Sequence, residues 1–398
     1  MDLSLSPSEQ AFRDELRGWL EANNPGRPPR GDDDWFEFAR TWQKKLHEGG
    51  WAGVSWPKEY GGRGATLIEQ AIFNEELARL GAPQPANVLG LVMGGPVVIT
   101  HGTDEQKERY LEPILTGEEI WCQGFSEPES GSDLASLKTK AVKSNGEWLV
   151  TGQKVWTTFA HKAKWCMLVA RTDQDVPKHQ GLTYFIMDME QDAVQVRPLH
   201  QITNEPEFNE LFMEEARIPD ENVVGGVGNG WSVAITTLMN ERAGLGAASA
   251  AGMRIALGDL KELARERGVA DDPRIRQRLA WAYGRAQIMR YNGMRVLTQY
   301  LKGHEPGPDA GISKLYWSEY HKVVTELAVD ILGAEALVPT GRHPSSAFSA
   351  DDAGAPNSSW SWVGTFLNSR AGTIYAGSSQ IQRNIIGEMV LGLPKEPR

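Results

Sequence analysis

The sequence predicts an α+β protein in three parts: an N-terminal helical domain over residues 1–118, a middle antiparallel β domain over 119–228, and a C-terminal four-helix bundle over 229–398. Three observations predict it. Apolar residues recur at helical spacing through the first part. From Trp121 onward, short apolar runs separated by turn formers replace that period. After the glycine cluster Gly225-Gly226-Val227-Gly228-Asn229-Gly230, long helical segments return.

The elements follow in order. Ser6-Pro7-Ser8-Glu9 opens a helix, with Ser6 as N-cap, Pro7 in the first turn and Glu9 closing a capping box. Phe12, Leu16, Trp19 and Leu20 carry its apolar face. Residues 25–34 are polar and read as a loop. Phe36, Ala39 and Leu46 mark a second helix ending at Gly49-Gly50. Ile68, Ala71, Ile72, Glu75 and Leu80 mark a third, and residues 102–115 a fourth that opens at Thr103-Asp104. The runs at 147–150, 165–170 and 182–187 read as strands, and Val194 and Val196 alternate with polar residues as a half-buried strand does. The glycine cluster lacks the last glycine of a dinucleotide fingerprint and no βαβ unit surrounds it, so it reads as a hinge into a helix. Helices follow over 231–267, 272–301, 310–332 and 378–390, and residues 339–359 read as a surface loop.

Composition narrows the function classes. The 398 residues are 40% hydrophobic and 23% charged, ordinary for a soluble globular protein with a large core. A net charge of −11 argues against a nucleic-acid partner, which requires a basic face. Cys122 and Cys166 are too few for a disulfide framework and fit a reducing, cytoplasmic setting. No apolar run reaches membrane-spanning length, and the N-terminus lacks the pattern of a signal peptide.

Two stretches carry the chemistry. Trp121-Cys122-Gln123-Gly124-Phe125-Ser126-Glu127-Pro128-Glu129-Ser130-Gly131-Ser132-Asp133 mixes turn formers with small hydroxyls that offer N–H and O–H donors. Such a loop suits an acceptor-rich ligand. Thr151-Gly152-Gln153-Lys154-Val155-Trp156-Thr157-Thr158 sets an indole two residues from a hydroxyl, on one face of a strand. Taken alone, they read as a Ser/Gly-rich turn followed by an ordinary strand, because short Gly/Ser loops are common.

Together the two stretches resemble the acyl-CoA dehydrogenase family. The Ser-Glu-Pro-x-x-Gly-Ser-Asp block matches from Ser126 to Asp133, the Gly-x-Lys-x-Trp-x-Thr strand from Gly152 to Thr158. Tyr375-Ala376-Gly377-Ser378-Ser379-Gln380-Ile381-Gln382-Arg383 extends the match toward the C-terminus. The resemblance implies FAD as cofactor and α,β-dehydrogenation of an acyl-CoA thioester to the trans-2-enoyl-CoA, with electrons passed to an electron-transfer flavoprotein. It implies FAD contacts from Phe125, Ser126, Ser132, Trp156, Thr158, Ser378 and Gln380. On the substrate side it implies Ser132, Arg242, Tyr375, Ala376 and Gly377. It implies no metal. It also implies a tetramer, either a homotetramer or an α2β2 assembly with a paralogous chain. A flavin monooxygenase or nitroalkane oxidase on the same fold is a further reading.

The catalytic base departs from the medium-chain pattern, because Ala376 stands where those members place it and alanine cannot accept a proton. The isovaleryl-type and long-chain members carry the base on the first C-terminal helix, before an arginine. Here that position reads Asn240-Glu241-Arg242. Glu241 shares a helical face with Ala234, Thr237, Leu238, Gly244 and Leu245. Lost solvation on such a face raises a carboxyl pKa toward the range useful to a base. The alternative is a glutamate on a solvated helix surface. The backbone N–H at Ala376 survives the side-chain change and can still polarise a thioester. Two further elements depart. The family's Arg-x-x-Phe-Gly element has only Arg267 as a weak counterpart, and Asp330-Ile331-Leu332-Gly333-Ala334 replaces a Gln-x-x-Gly-Gly element. The Gly/Ala-rich run from Ala243 to Gly252 leaves room for a branched or polycyclic acyl group, or reflects close helix packing.

Overall fold

The structure is a computed structural model that describes residues 5–26, 28–29, 32–203, 205–302, 310–341 and 358–395. The helices α1 (Pro7–Asn23), α2 (Asp32–Glu48), α3 (Leu67–Arg79), α4 (Gly95–His101) and α5 (Asp104–Thr116) come first. The strands β1 (Trp121–Gly124), β2 (Lys140–Ser144), β3 (Glu147–Thr158), β4 (Trp165–Arg171), β5 (Leu182–Asp188), β6 (Val194–Leu199), β7 (Phe208–Pro219) and β8 (Val223–Val224) follow. Then come α6 (Gly230–Glu266), α7 (Pro273–Leu301), α8 (Ala310–Leu332), α9 (Ser359–Ser369) and α10 (Ser379–Ile385). Helix starts obey local chemistry. Ser6 with Glu9, Thr66 with Glu69, and Thr103 with Gln106 each close a capping box, satisfying two orphan N–H groups apiece.

The backbone groups into two units: residues 29–65 with 84–241, and residues 1–28 with 66–83 and 242–398. The first holds the sheet, whose order is β6-β7-β3-β2-β4-β5-β8. The expected antiparallel arrangement holds for β6–β7–β3–β2 and for β4–β5–β8. β1 instead runs parallel to β4, and β2 meets β4 in parallel at Lys140 and Arg171. The reason is connectivity: the β2–β3 hairpin separates β1 from β4, and only antiparallel neighbours can be joined by a tight turn. β4 and β5 are buried at every position but their last, which is why they read as unbroken apolar runs rather than alternating ones. The start of β1 is fixed from below. Gln43 Nε2 donates to the Ile114 carbonyl at 2.7 Å, Gln43 Oε1 accepts from Asn87 N, and Asn87 Oδ1 accepts from Trp121 N at 2.9 Å.

In the second unit, Arg17 meets the buried Glu76 through two hydrogen bonds of 3.0 and 2.7 Å, tying α1 to α3. Arg254 on α6 lies 3.5 Å from Glu75 of α3. The helical core gathers Leu260, Leu263 and Ala264 of α6, Ala282 and Met289 of α7, Leu327 and Ala328 of α8, and Trp362 of α9. Apolar spacing alone did not predict α9, because the segment before it reads as one loop. Most of that loop, 342–357, lies outside the described residues.

Candidate active site

Within the sheet unit, β1 delivers the loop 125–133 onto β3. Phe125 is buried, its ring edge-on to Tyr184 at 5.9 Å. Its side chain is therefore packed into the core. Glu127 and Ser130 exchange N–H···O bonds of 2.9 and 3.1 Å, so Pro128-Glu129 form a tight corner. Ser130 Oγ donates to the Asp133 carbonyl at 2.7 Å, and the Asp133 carboxylate takes both Lys178 Nζ, at 2.7 Å, and Ser136 Oγ, at 2.5 Å. Lys178, first among these, and Ser136 hold the Asp133 carboxyl below the usual range. Ser126 is half-buried and Ser132 is exposed, where a pinned loop presents its hydroxyl.

β3 carries a fault where the second motif lies. Lys154 pairs with Leu211 and Thr157 with Asn209, so β3 holds one residue more than β7 across that interval. The bulge puts Trp156 at φ +60°, in the left-handed region that a bulky L-residue rarely enters. It also shifts the pleat. Lys154 and Thr157 both face inward, whereas unbroken alternation would send Trp156 inward with Lys154. Instead the indole is 59% exposed, edge-on to Phe208 at 5.9 Å. Thr158, half-buried, lies on the side away from Thr157, so it shares the outward side with Trp156 as the spacing predicts.

The two motif segments are bolted together by residues that sequence reasoning did not single out. Lys154 is fully buried, and its Nζ donates to the Phe125 carbonyl at 3.0 Å and to Glu127 Oε1 at 2.9 Å. The Glu127 carboxylate also accepts from Lys138 N at 2.6 Å and Thr139 N at 2.9 Å. Val155 N donates to the Ser126 carbonyl at 2.9 Å. Burial opposes the charge on Glu127, but Lys154 and the Thr139 and Lys138 donors outweigh it and hold its carboxyl below the usual range. The signal in sequence was a lysine inside a strand, two residues before the indole, with a glutamate inside the facing motif.

The start of α6 belongs to the same unit. Gly230, Val233, Ala234 and Thr237 form a buried stripe, and Thr237 Oγ1 donates to the Tyr184 hydroxyl at 3.3 Å. By the helical repeat, the stripe reaches position 241 next. The backbone at Glu241 and Arg242 is helical, but their side chains lie outside the described residues.

In the helical unit, Ala376 and Gly377 form a left-handed turn at φ +51° and +86°. Both carbonyls are held: Ala376 O accepts from Gln382 Nε2 at 3.1 Å, and Gly377 O from Lys314 Nζ at 2.7 Å. Gln382 and Lys314 are both buried, and neither was singled out as a site residue in the sequence reading. Lys314 Nζ also sits 5.8 Å from the Tyr375 ring centre. Ser378 caps α10, its Oγ accepting from Ile381 N at 3.2 Å, and Gln380 is exposed. Arg267 is engaged by Glu335 through bonds of 2.9 and 3.0 Å. Arg278 pairs with Asp330, which offsets that acid's charge.

These features fit a planar, acceptor-rich group. An indole displayed at a strained backbone offers a flat apolar wall, and the loop of Ser126 to Ser132 offers donors. Separately, in the helical unit, Gln382 Oε1 is a buried acceptor without a hydrogen-bond partner among the described residues. No group of three or more His, Cys, Asp or Glu among the described residues is arranged to hold a metal ion, and no described helix is long and apolar enough to cross a membrane.

Comparison with known proteins bears on the whole chain. The model of the acyl-CoA dehydrogenase N-terminal domain matches residues 6–118, that of the middle domain 122–215, and that of the C-terminal domain 228–391. The acyl-CoA dehydrogenase IpdE1 of Mycobacterium tuberculosis is 39% identical over 402 residues, covering 98% of this chain and 99% of that one. Among solved structures, the Tcur3481-Tcur3483 steroid ACAD is similar at TM-score 0.83 and 29% identity, over 100% of both chains. The ChsE4-ChsE5 complex from Mycobacterium tuberculosis is similar at TM-score 0.82 and 27% identity, also over 100% of both.

Proposed function

The chain belongs to the acyl-CoA dehydrogenase family, and from that premise we propose that it is a FAD-dependent enzyme that removes the α and β hydrogens of an acyl-CoA thioester. Its relatives are named acyl-CoA dehydrogenases, oxidoreductases of CH–CH groups. The observation that carries the reading is Trp156: an exposed indole held in the left-handed region by a bulge, beside a donor-rich loop. Strain of this kind persists where the surrounding structure over-determines it, and it clusters at ligand sites.

Each residue has a role in this proposal. Ser126, Ser132, Trp156, Thr158, Ser378 and Gln380 hold FAD, which when bound supplies the acceptor for the β-hydride. Phe125 contributes its backbone. The Ala376 N–H polarises the thioester oxygen and so makes the α-proton more acidic. Glu241 removes that proton. Its position follows Val233, Ala234 and Thr237 in the helical repeat of α6, and a carboxyl that loses solvation gains proton affinity. Arg242, Tyr375 and Gly377 border the substrate. Arg267 is satisfied by Glu335 within its own unit, so a cofactor role for it requires that pair to open.

The acyl group is steroid-derived or otherwise polycyclic in this reading, and the chain works in an α2β2 assembly with a paralogue. Two similar structures name two proteins each, Tcur3481-Tcur3483, a steroid ACAD, and the ChsE4-ChsE5 complex. Electrons leave to an electron-transfer flavoprotein in the cytoplasm. The test is Glu241→Gln. The variant is expected to keep its flavin and lose at least a thousandfold in turnover, on the order of a removed general base. Full turnover in that variant rules out the assignment. Steroid-type, branched and straight acyl-CoAs, assayed with an artificial acceptor, rank the substrate class. Co-expression with a paralogue, followed by flavin content, separates an α2β2 enzyme from a homomer.

A further inference from the structure

We infer that Lys154 is a positioning residue for the cofactor: it polarises the Phe125–Ser126 peptide from inside the sheet and so strengthens the Ser126 N–H as a donor toward the flavin. This rests on the flavin reading above.

The geometry is specific. The Phe125 carbonyl and the Ser126 N–H belong to one peptide plane and point to opposite sides of it. Lys154 Nζ donates to that carbonyl at 3.0 Å from a position with no exposure to solvent. A charged donor on the carbonyl withdraws electron density from the amide, and hydrogen bonds in series strengthen one another most where the dielectric is low. The same ammonium is fixed by Glu127 at 2.9 Å, and Glu127 is itself held by Lys138 N and Thr139 N. The pair thus has a rigid seat on β2's approach and reaches the loop from behind. On the next residue of β3, Val155 N donates to the Ser126 carbonyl, so Ser126 is anchored on both flanking peptides. The bulge that turns Trp156 outward begins directly after Lys154. One buried lysine therefore lies under both the donor loop and the displayed indole.

A lysine kept only for stability is replaceable by a neutral partner of similar length, since a buried ion pair is often no more stable than its apolar replacement. That separates the two roles. The single variants Lys154→Met and Glu127→Gln each strand a partner in the interior. The double variant Lys154→Met/Glu127→Gln strands no charge. It is expected to keep the fold, as judged by its near-ultraviolet circular dichroism and melting temperature. It is also expected to bind FAD about tenfold more weakly, the scale of one charge-assisted hydrogen bond. Its flavin should have a more negative midpoint potential, because a weaker donor stabilises the electron-rich reduced ring less. Wild-type FAD affinity and potential in the folded double variant overturn the proposal. A second measurement uses the unmodified protein. Hydrogen exchange of the peptide spanning Cys122 to Asp133 is compared with and without FAD. Protection of the Ser126 amide on FAD binding supports the proposal, and unchanged exchange at Ser126 overturns it. If the unmodified protein binds no FAD at all, the flavin reading itself fails first, and that result is distinct from either outcome.

Discussion

Gln382 holds Ala376 in place: its side-chain amide donates to the Ala376 carbonyl at 3.1 Å, across a left-handed turn that alanine does not favour. Left-handed geometry costs an L-residue roughly 1–2 kcal/mol, so something must hold it there. Gln382 does so from a fully buried position on α10, and Lys314 holds the next carbonyl. The Gly377 and Ser378 N–H groups, which share peptide planes with those two carbonyls, are therefore fixed in direction.

Gln382→Met separates the two consequences of that contact. It removes one hydrogen bond, but also a buried acceptor that has no hydrogen-bond partner among the described residues. These offset, so urea denaturation is expected to change stability by less than about 1 kcal/mol. The turn loses its clamp, so KM for an acyl-CoA is expected to rise severalfold. Unchanged KM would mean that Lys314 alone suffices.

Gly152→Ala is expected to be severe. A Cβ there meets Thr139 Oγ1 at 2.4 Å and the Thr139 Cα at 2.7 Å, and the latter belongs to backbone that cannot swing aside. Overpacking of this kind costs about 1–3 kcal/mol or more. Gly131→Ala is the control, because nothing lies within 4 Å of its Cβ position, and it should stay within about 0.5 kcal/mol of wild type. Thermal melts of the two variants side by side decide the matter.

Trp156→Gly tests whether the strain serves function. Glycine adopts the left-handed region without penalty, and an indole 59% exposed contributes little burial. The apo protein is expected to be as stable as wild type, or more so by up to about 1 kcal/mol. Flavin affinity is expected to fall. A variant that is both less stable and equally able to bind flavin would show the indole to be structural.

What the sequence made legible follows a physical line. The capping box at Ser6 and the helix start at Thr103-Asp104 are local chemistry, and both formed where the residues said. The outward placement of Trp156 and Thr158 was legible as spacing, but the bulge behind it was not, because register depends on the partner strand. Lys154 reads as a solvated strand residue until Glu127 arrives from another segment. Helix α4 was missed because Gly94, Gly95 and Pro96 look like breakers. In the structure the Trp56 indole packs so tightly on Gly95 that a Cβ there would sit 1.9 Å from it.

His321 gives the chain a pH dependence away from the reacting groups. Its ring is buried and stacked on Trp317 at 5.3 Å, and its Nδ1 has no hydrogen-bond partner among the described residues. Burial, with Arg370 adding to it, pushes the imidazole down from 6.5 to about 4. The folded state thus keeps it neutral, while the unfolded chain takes up a proton as pH falls below 6.5. Between 6.5 and 4 the unfolded state binds more protons, so stability falls on acidification and is regained as pH rises. The full span amounts to roughly 3 kcal/mol at 1.36 kcal/mol per unit. His321→Leu removes this contribution. Its melting temperature should fall less than that of wild type between pH 7 and pH 5, and parallel losses in the two proteins would show that His321 is not the group being protonated.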